Sequence, residues 1–226
     1  MKDYSIYVVS NKPHIFPEIQ QSLCPEPVTY FDGTGVPSFA KLVNSCVLAA
    51  PTEIVIILSD KVRPKPEEIF KMVDLIKKGF GFVAFYRFAF FGFKKELMRQ
   101  IGVLDEGFQR GGFEDDDFYL RLHEADISMY VTEETEYIPS NSSWDYSLAR
   151  QYFVSKWVDT TWEHYNPEGK MSNNVIRRKL EEPNYNYDFG PSIPTEFKDW
   201  NYTVVHTFKA RKFVRPPRKS KRIHIA

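Results

Sequence analysis

The chain has 226 residues, 42% of them hydrophobic and 16% aromatic, enough for one large or two small globular cores. Its 30 basic and 30 acidic residues cancel, but eight of the basic ones lie between Lys209 and the C-terminus with no acid among them, so residues 1–208 carry a net charge of −8. This acidic body argues against a dedicated nucleic-acid binder, and no apolar run approaches the roughly 20 residues that span a bilayer.

The two cysteines, Cys24 and Cys46, form no metal-type pair and point to a reduced, cytosol-like setting. No basic-then-apolar leader precedes the first strand. The expectation is a soluble, cytoplasmic protein, in which the glycosylation sequons at Asn141 and Asn201 are chance matches.

Residues 4–10 are rich in β-branched and aromatic side chains and read as a buried strand that stops at the turn signal Ser10-Asn11-Lys12-Pro13. Residues 28–31 read as a second strand ending at Asp32-Gly33. From Ser38 a helix is expected, with Phe39, Leu42, Val43, Cys46 and Val47 at helical spacing and Pro51 closing it. The continuous apolar run of residues 53–58 has the form of a central parallel strand covered on both faces, and it ends at Ser59-Asp60-Lys61. Pro64 and Pro66 open a further helix with Ile69, Met72, Val73 and Ile76 on one face.

Strands alternating with helices at these lengths predict an α/β sheet built from crossover units. Ligands of such sheets bind beyond the carboxyl ends of the strands. Ser10-Asn11, Asp32 and Ser59-Asp60 all fall at such ends. Asp32 by itself is more simply a turn residue, but the three together favour a ligand site.

Residues 81–86 and 88–93 are aromatic, strand-like runs interrupted by glycine, most of whose rings are core. Gly92 is a point where the backbone can approach a ligand closely. A short helix over residues 94–101 leads through Gly102-Val103-Leu104-Asp105-Glu106-Gly107-Phe108 into Arg110-Gly111-Gly112-Phe113-Glu114-Asp115-Asp116-Asp117. Four adjacent carboxylates repel one another and need cations, or a helix N-terminus, to balance them. Residues 145–165 read as a long helix, and the Tyr- and Asn-rich stretch 184–191 as a loop suited to form an acceptor-side wall. The basic tail has no apolar periodicity and reads as a solvated extension or a linker to a further C-terminal domain.

Taken in order, these features resemble the GT-A glycosyltransferases. The likeness runs from about Tyr4 to about Val131 and rests on four matches. They are Val9-Ser10-Asn11 at the first strand end, Asp32 at the second, Asn44 followed fifteen residues later by Ser59-Asp60-Lys61, and the run from Gly102 to Asp117. The last is close to the family's acceptor-side signature. The short, unanchored chain is also similar to capsid-glycan glycosyltransferases of large algal DNA viruses.

The resemblance implies a mixed, mostly parallel Rossmann-like α/β sheet flanked by helices in one GT-A domain over residues 1–208. About 1–100 would be its nucleotide-sugar-binding half and about 101–208 its acceptor-side half, with 209–226 a tail. It implies transfer from a nucleotide sugar, a UDP-sugar, to a glycan or glycoprotein acceptor with Mn²⁺ or Mg²⁺. Val9, Ser10, Asn11, Asp32, Ser59 and Lys61 would contact the nucleotide, and Asp60 would hold the metal. Gly92, Gly111 and Gly112 would line the sugar and acceptor. Asp115 would be the general base, Glu114 would orient hydroxyls, and Asp116 and Asp117 would cap the following helix.

Two departures stand out. Acidic residues commonly flank the metal aspartate in this family, whereas Ser59 and Lys61 do so here; one carboxylate with two phosphate oxygens and waters can still hold Mg²⁺ or Mn²⁺, and Lys61 facing the phosphates in partial place of the metal is the alternative. The family's third metal ligand, often a histidine, has no counterpart in residues 136–141, and His123, His164 and His206 read as packing or surface residues. A sugar-nucleotide pyrophosphorylase is the rival enzyme class, though Ser10-Asn11-Lys12-Pro13 lacks its glycine-rich loop. A binding module with degenerate catalytic residues is the non-enzymatic rival.

Overall fold

The computed structural model describes residues 2–36, 38–108, 111–139, 146–157 and 213–214. In chain order the elements are β1 (Tyr4–Ser10), α1 (Phe16–Ser22), β2 (Val28–Asp32), α2 (Phe39–Ala49), β3 (Ile54–Ser59), α3 (Pro66–Lys77), β4 (Phe82–Tyr86), β5 (Phe90–Lys94), α4 (Lys95–Ile101), α5 (Glu114–Glu124), β6 (Met129–Val131), α6 (Ser147–Trp157) and β7 (Phe213–Val214). The strands form one sheet of order β2-β1-β3-β5-β4-β6-β7. All run the same way except β5 and β7. The fold is thus the expected mixed, mostly parallel sheet flanked by helices.

β3 anchors the sheet. All six of its residues are buried, and each of its five aliphatic side chains contributes about 1.5–3 kcal/mol by leaving water. The side chains of β3 alternate between two cores, as the two-residue period of a strand requires. Val55 and Ile57 join Tyr7, Val9, Phe82, Phe91 and Phe93 beneath α2, α4 and α5. Ile54, Ile56 and Leu58 join Ile6, Val8, Val83, Phe85 and Phe90 beneath α1 and α3. The result is a three-layer sandwich.

Local chemistry sets the helix starts. Ser38 caps α2, its side chain accepting from the Lys41 N–H at 3.1 Å. Pro66 opens α3, and Glu68 accepts from the Lys65 N–H at 2.7 Å. β3 departs from its expected setting, because β1 pairs with it in parallel but β5 pairs antiparallel. The short connection between β4 and β5 makes these two strands a hairpin, which inserts β5 between two strands of the opposite direction. In that turn the Ala89 N–H donates to the Tyr86 carbonyl at 2.9 Å, and the Ala89 carbonyl accepts from the Ser59 N–H at 2.8 Å.

The hairpin also carries α5. Phe82 packs on Phe118 with ring centroids 6.0 Å apart and on Tyr119 at 5.6 Å, and Phe88 packs on Tyr119 at 5.0 Å. At the far side of α5, Arg121 donates from Nε and Nη2 to Asp117 at 3.1 and 2.8 Å and from Nη1 to the Ile101 carbonyl at 2.9 Å. Asp117 was expected to cap α5. It sits instead inside the first turn and holds this cation, while the N-cap position belongs to Phe113. α6 covers the approach loop, with Tyr152 donating to Asp105 at 3.0 Å. The long helix expected over 145–165 is described only as Ser147–Trp157. The loop at 184–191 lies outside the described residues, as does the basic tail apart from Phe213 and Val214. Among the described residues no helix is long and apolar enough to cross a membrane.

The Arg121–Asp117 pair is 1% and 0% exposed, so removing one partner strands a charge in the interior. Asp117→Asn is expected to lower unfolding stability by about 3–5 kcal/mol in urea denaturation. Glu96→Gln, at the exposed pair with Arg99, is expected to change it by less than about 1 kcal/mol.

Candidate functional site

The carboxyl ends of β2, β1 and β3 lie level, because Ser10 pairs with Asp32 and Val9 with Ser59. Ser10 is buried and closes the first turn. Its Oγ accepts from the Lys12 N–H at 2.9 Å, and its carbonyl accepts from Tyr30 Oη at 2.7 Å and the Gly33 N–H at 2.8 Å. Ser59 closes the third strand in the same manner, its Oγ accepting from the Lys61 N–H at 3.2 Å. Asp32 is exposed and accepts from the Thr34 N–H at 2.9 Å, a turn-forming bond that also lowers its pKa. Burial raises the Tyr30 hydroxyl, and the nearby charges of Asp32 and Asp60 raise it further. One edge of the sheet therefore gathers Ser10, Lys12, Tyr30, Asp32, Ser59, Asp60 and Lys61. Asn11 is exposed in the same turn.

Two of the residues expected here do not face this edge. The Val9 side chain lies in the core, and its backbone is paired between Phe31 and Ser59. Gly92 lies inside the sheet, where an added Cβ would meet Met72 Sδ at 2.7 Å and the Val55 carbonyl at 3.2 Å. Its missing side chain lets α3 pack against β5, so a packing role replaces the ligand-approach role expected of it.

The second cluster forms at the start of α5. Gly111 (φ 85°), Gly112 (φ 99°) and Phe113 (φ 67°) are three successive left-handed residues. Two can be glycine without penalty, whereas Phe113 pays of order 1–3 kcal/mol in strain. A Cβ on Gly112 would also meet the Tyr146 ring at 2.4 Å. The two glycines thus shape the chain that presents the acids. Glu114 is buried, and its Oε2 has no hydrogen bond among the described residues. Burial, reinforced by the charge of Asp115, pushes its carboxyl up to about 8, so it keeps its proton at neutral pH. Asp115 is half-buried. Burial raises its carboxyl too, opposed by backbone N–H groups of the helix start and by the Arg87 guanidinium. Arg87, itself left-handed at φ 44°, is fixed by Glu133 through Nε at 3.0 Å and Nη2 at 2.8 Å. The hydroxyl of Tyr146 is raised by burial and by Glu114, Asp115 and Tyr137, which places its ring beside both acids.

The two clusters share an edge. β3 and β4 run the same way with one strand between them. Asp60, just past β3, and Arg87, just past β4, are therefore about two strand spacings, ~10 Å, apart. Residues 136–138 bridge this gap. The Ile138 N–H donates to the Lys61 carbonyl at 2.8 Å, Val62 and Tyr137 form an antiparallel bridge, and the Tyr137 ring stacks on Tyr86 at 4.2 Å. Sequence reasoning missed Lys12, Arg87, Tyr137 and Tyr146. The lone charge of Arg87 inside an aromatic run, and Lys12 next to a marked strand end, were the available signals.

At Asp60 a divalent cation would find one protein carboxylate, already shared with a lysine. Asp60 Oδ2 is held by Lys12 Nζ at 2.7 Å, with the two side chains 13% and 43% exposed. Ser59 and Lys61 flank it, and among the described residues no three His, Cys, Asp or Glu side chains group to hold a metal. His123 is buried on α5, and His164 and His206 lie outside the described residues.

No family model and no curated protein matches the chain. Among solved structures it is similar to a mutant of Drosophila β1,4-galactosyltransferase 7 in complex with manganese, UDP-Gal and xylobiose, at 12% identity over 62% of this chain and 72% of that one, with a TM-score of 0.45. It is similar at the same identity and coverage, with a TM-score of 0.44, to the catalytic domain of that enzyme with xylobiose. Likeness at this level decides nothing about chemistry, which rests on the residues above.

Glu114 gives a pH signature. Below its ordinary value of 4.5 the carboxyl is protonated whether the chain is folded or not. Between 4.5 and about 8 the unfolded chain has released a proton that the folded one keeps. Its contribution therefore makes stability fall as pH rises through that window, by up to roughly 1.4 kcal/mol per pH unit. Urea melts at several pH values are expected to show a flatter decline for Glu114→Gln than for the wild type, and parallel curves would contradict the protonated state.

Proposed function

We propose that this chain is a glycosyltransferase that moves a sugar from a nucleotide-sugar donor, a UDP-sugar, to a hydroxyl of a glycan or protein-linked glycan. The carrying observation is Asp115. It is a half-buried carboxylate with raised basicity, held beside Arg87 on the same sheet edge as the polar ends of β1, β2 and β3.

In this reading the nucleotide sits over the strand ends, near Ser10, Asn11 and Asp32, with its diphosphate toward Asp60 and Lys61. The acceptor hydroxyl gives its proton to Asp115 while its oxygen attacks the anomeric carbon. The bond from that carbon to the diphosphate breaks, and its electron pair leaves with UDP. This course inverts the anomeric centre. Glu114, protonated, donates from its unpartnered Oε2 to a sugar or acceptor oxygen and so orients it. Tyr146, 45% exposed beside both acids, offers a ring face to a sugar. The division into a donor half at about 1–100 and an acceptor half at about 101–208 belongs to the same proposal, and the capsid-glycan setting is not part of it.

The Lys12–Asp60 pair also favours a second reading, a sugar- or nucleotide-binding module without turnover. Release of UDP from a panel of UDP-sugars and saccharide acceptors separates the two. The wild type is expected to release UDP, and Asp115→Asn to do so about 10²–10⁴-fold more slowly with an unchanged urea midpoint. Equal rates would remove Asp115 from the chemistry. Nucleotide binding with no release across the panel would leave the binding module.

A further inference from the structure

Two neighbouring strands end in the same device. β1 ends in Ser10-Asn11-Lys12 and β3 in Ser59-Asp60-Lys61, and in each the serine Oγ accepts the backbone N–H of the lysine two residues on, at 2.9 and 3.2 Å. β1 and β3 pair directly, with Val9 beside Ser59, so the two turns bring their lysines to one stretch of sheet edge. Asp60, next to Lys61 in the chain, holds the Lys12 ammonium at 2.7 Å. The Lys61 ammonium enters no ion pair among the described residues.

We propose that this pair of lysines is the diphosphate site of the donor, and that nucleotide binding here needs no divalent cation. The inference rests on the glycosyltransferase reading above. Charge decides it. One carboxylate and a divalent ion would present a net +1 to the phosphates, and Asp60 with two ammonium groups presents the same +1. A divalent ion held by Asp60 would share its one carboxylate with the Lys12 ammonium, whose charge repels it. Lys12 is exposed enough to turn from Asp60 toward a phosphate, and Asp60 keeps it at the edge until one arrives. When the anomeric carbon–oxygen bond breaks, the electron pair goes to the terminal phosphate oxygen and the lysines neutralise the charge, while the acceptor proton goes to Asp115.

Calorimetric titration of the full chain with UDP, in excess EDTA and again with Mn²⁺, tests this, with uridine as the probe lacking phosphates. UDP is expected to bind about equally in both conditions. Lys12→Met and Lys61→Met are each expected to weaken UDP binding about ten- to hundred-fold without changing uridine binding or the urea midpoint, and Lys12→Arg to restore most of it. Binding of UDP only with Mn²⁺, or unaltered binding by both methionine variants, would overturn the lysine site and leave the glycosyltransferase reading in place. Absence of UDP binding in either condition would overturn both.

Discussion

Four carboxylates in one helical turn can share a protein interior only if each finds its own way to neutrality, and α5 uses a different means for each of three of them. Asp117 takes the buried guanidinium of Arg121 four residues along the helix. Glu114 keeps its proton because burial and its charged neighbour outweigh the N–H groups around it. At Asp115 burial raises the carboxyl, and the N–H groups of the helix start and the Arg87 guanidinium oppose that rise. Asp116 is buried as well. The first turn of α5 thus holds a protonated carboxyl at Glu114 beside one at Asp115 whose proton affinity is raised.

Positioning these groups falls to the sheet. Phe82 and Phe88 hold the aromatic face of α5 on the β4–β5 hairpin, and α5 leads into β6, which runs parallel to β4. A second tie comes from Asn44 on α2, wholly buried, which donates to the Leu104 carbonyl and to Glu106, each at 2.9 Å, and accepts from the Leu104 N–H at 3.0 Å. The loop leading to the acids is thereby bonded to the helix that lies between the second and third strand ends. The charged residues at the two ends of the site are held by one framework.

Much of this was legible in the chain itself. The β-branched and apolar runs of β1 and β3 leave no alternative to buried strands, and Ser38 followed by helical apolar spacing marks α2 to within a residue. Harder to read were elements too short to show a period, such as α1 with Pro17 near its start and the three residues of β6. The insertion of β5 was hidden as well, because its pattern suits either direction. The strand ends marked by Ser10, Asp32 and Ser59 meet as expected, since a parallel register aligns them. The partners of their charges were not readable. Lys12 meets Asp60 across 48 residues and Arg87 meets Glu133 across 46, contacts that only the finished sheet creates. Gly111 and Gly112, expected to line the sugar and acceptor, open a run of three left-handed residues, while Gly92 is explained by Met72 filling its space.

The turn between β4 and β5 touches both ends of the site. Through Ala89 it holds the Ser59 N–H, one residue from Asp60, and it carries Arg87, which faces Asp115. The turn is thus a crossbar between the two clusters, bonded to a strand end on one side and carrying a cation on the other.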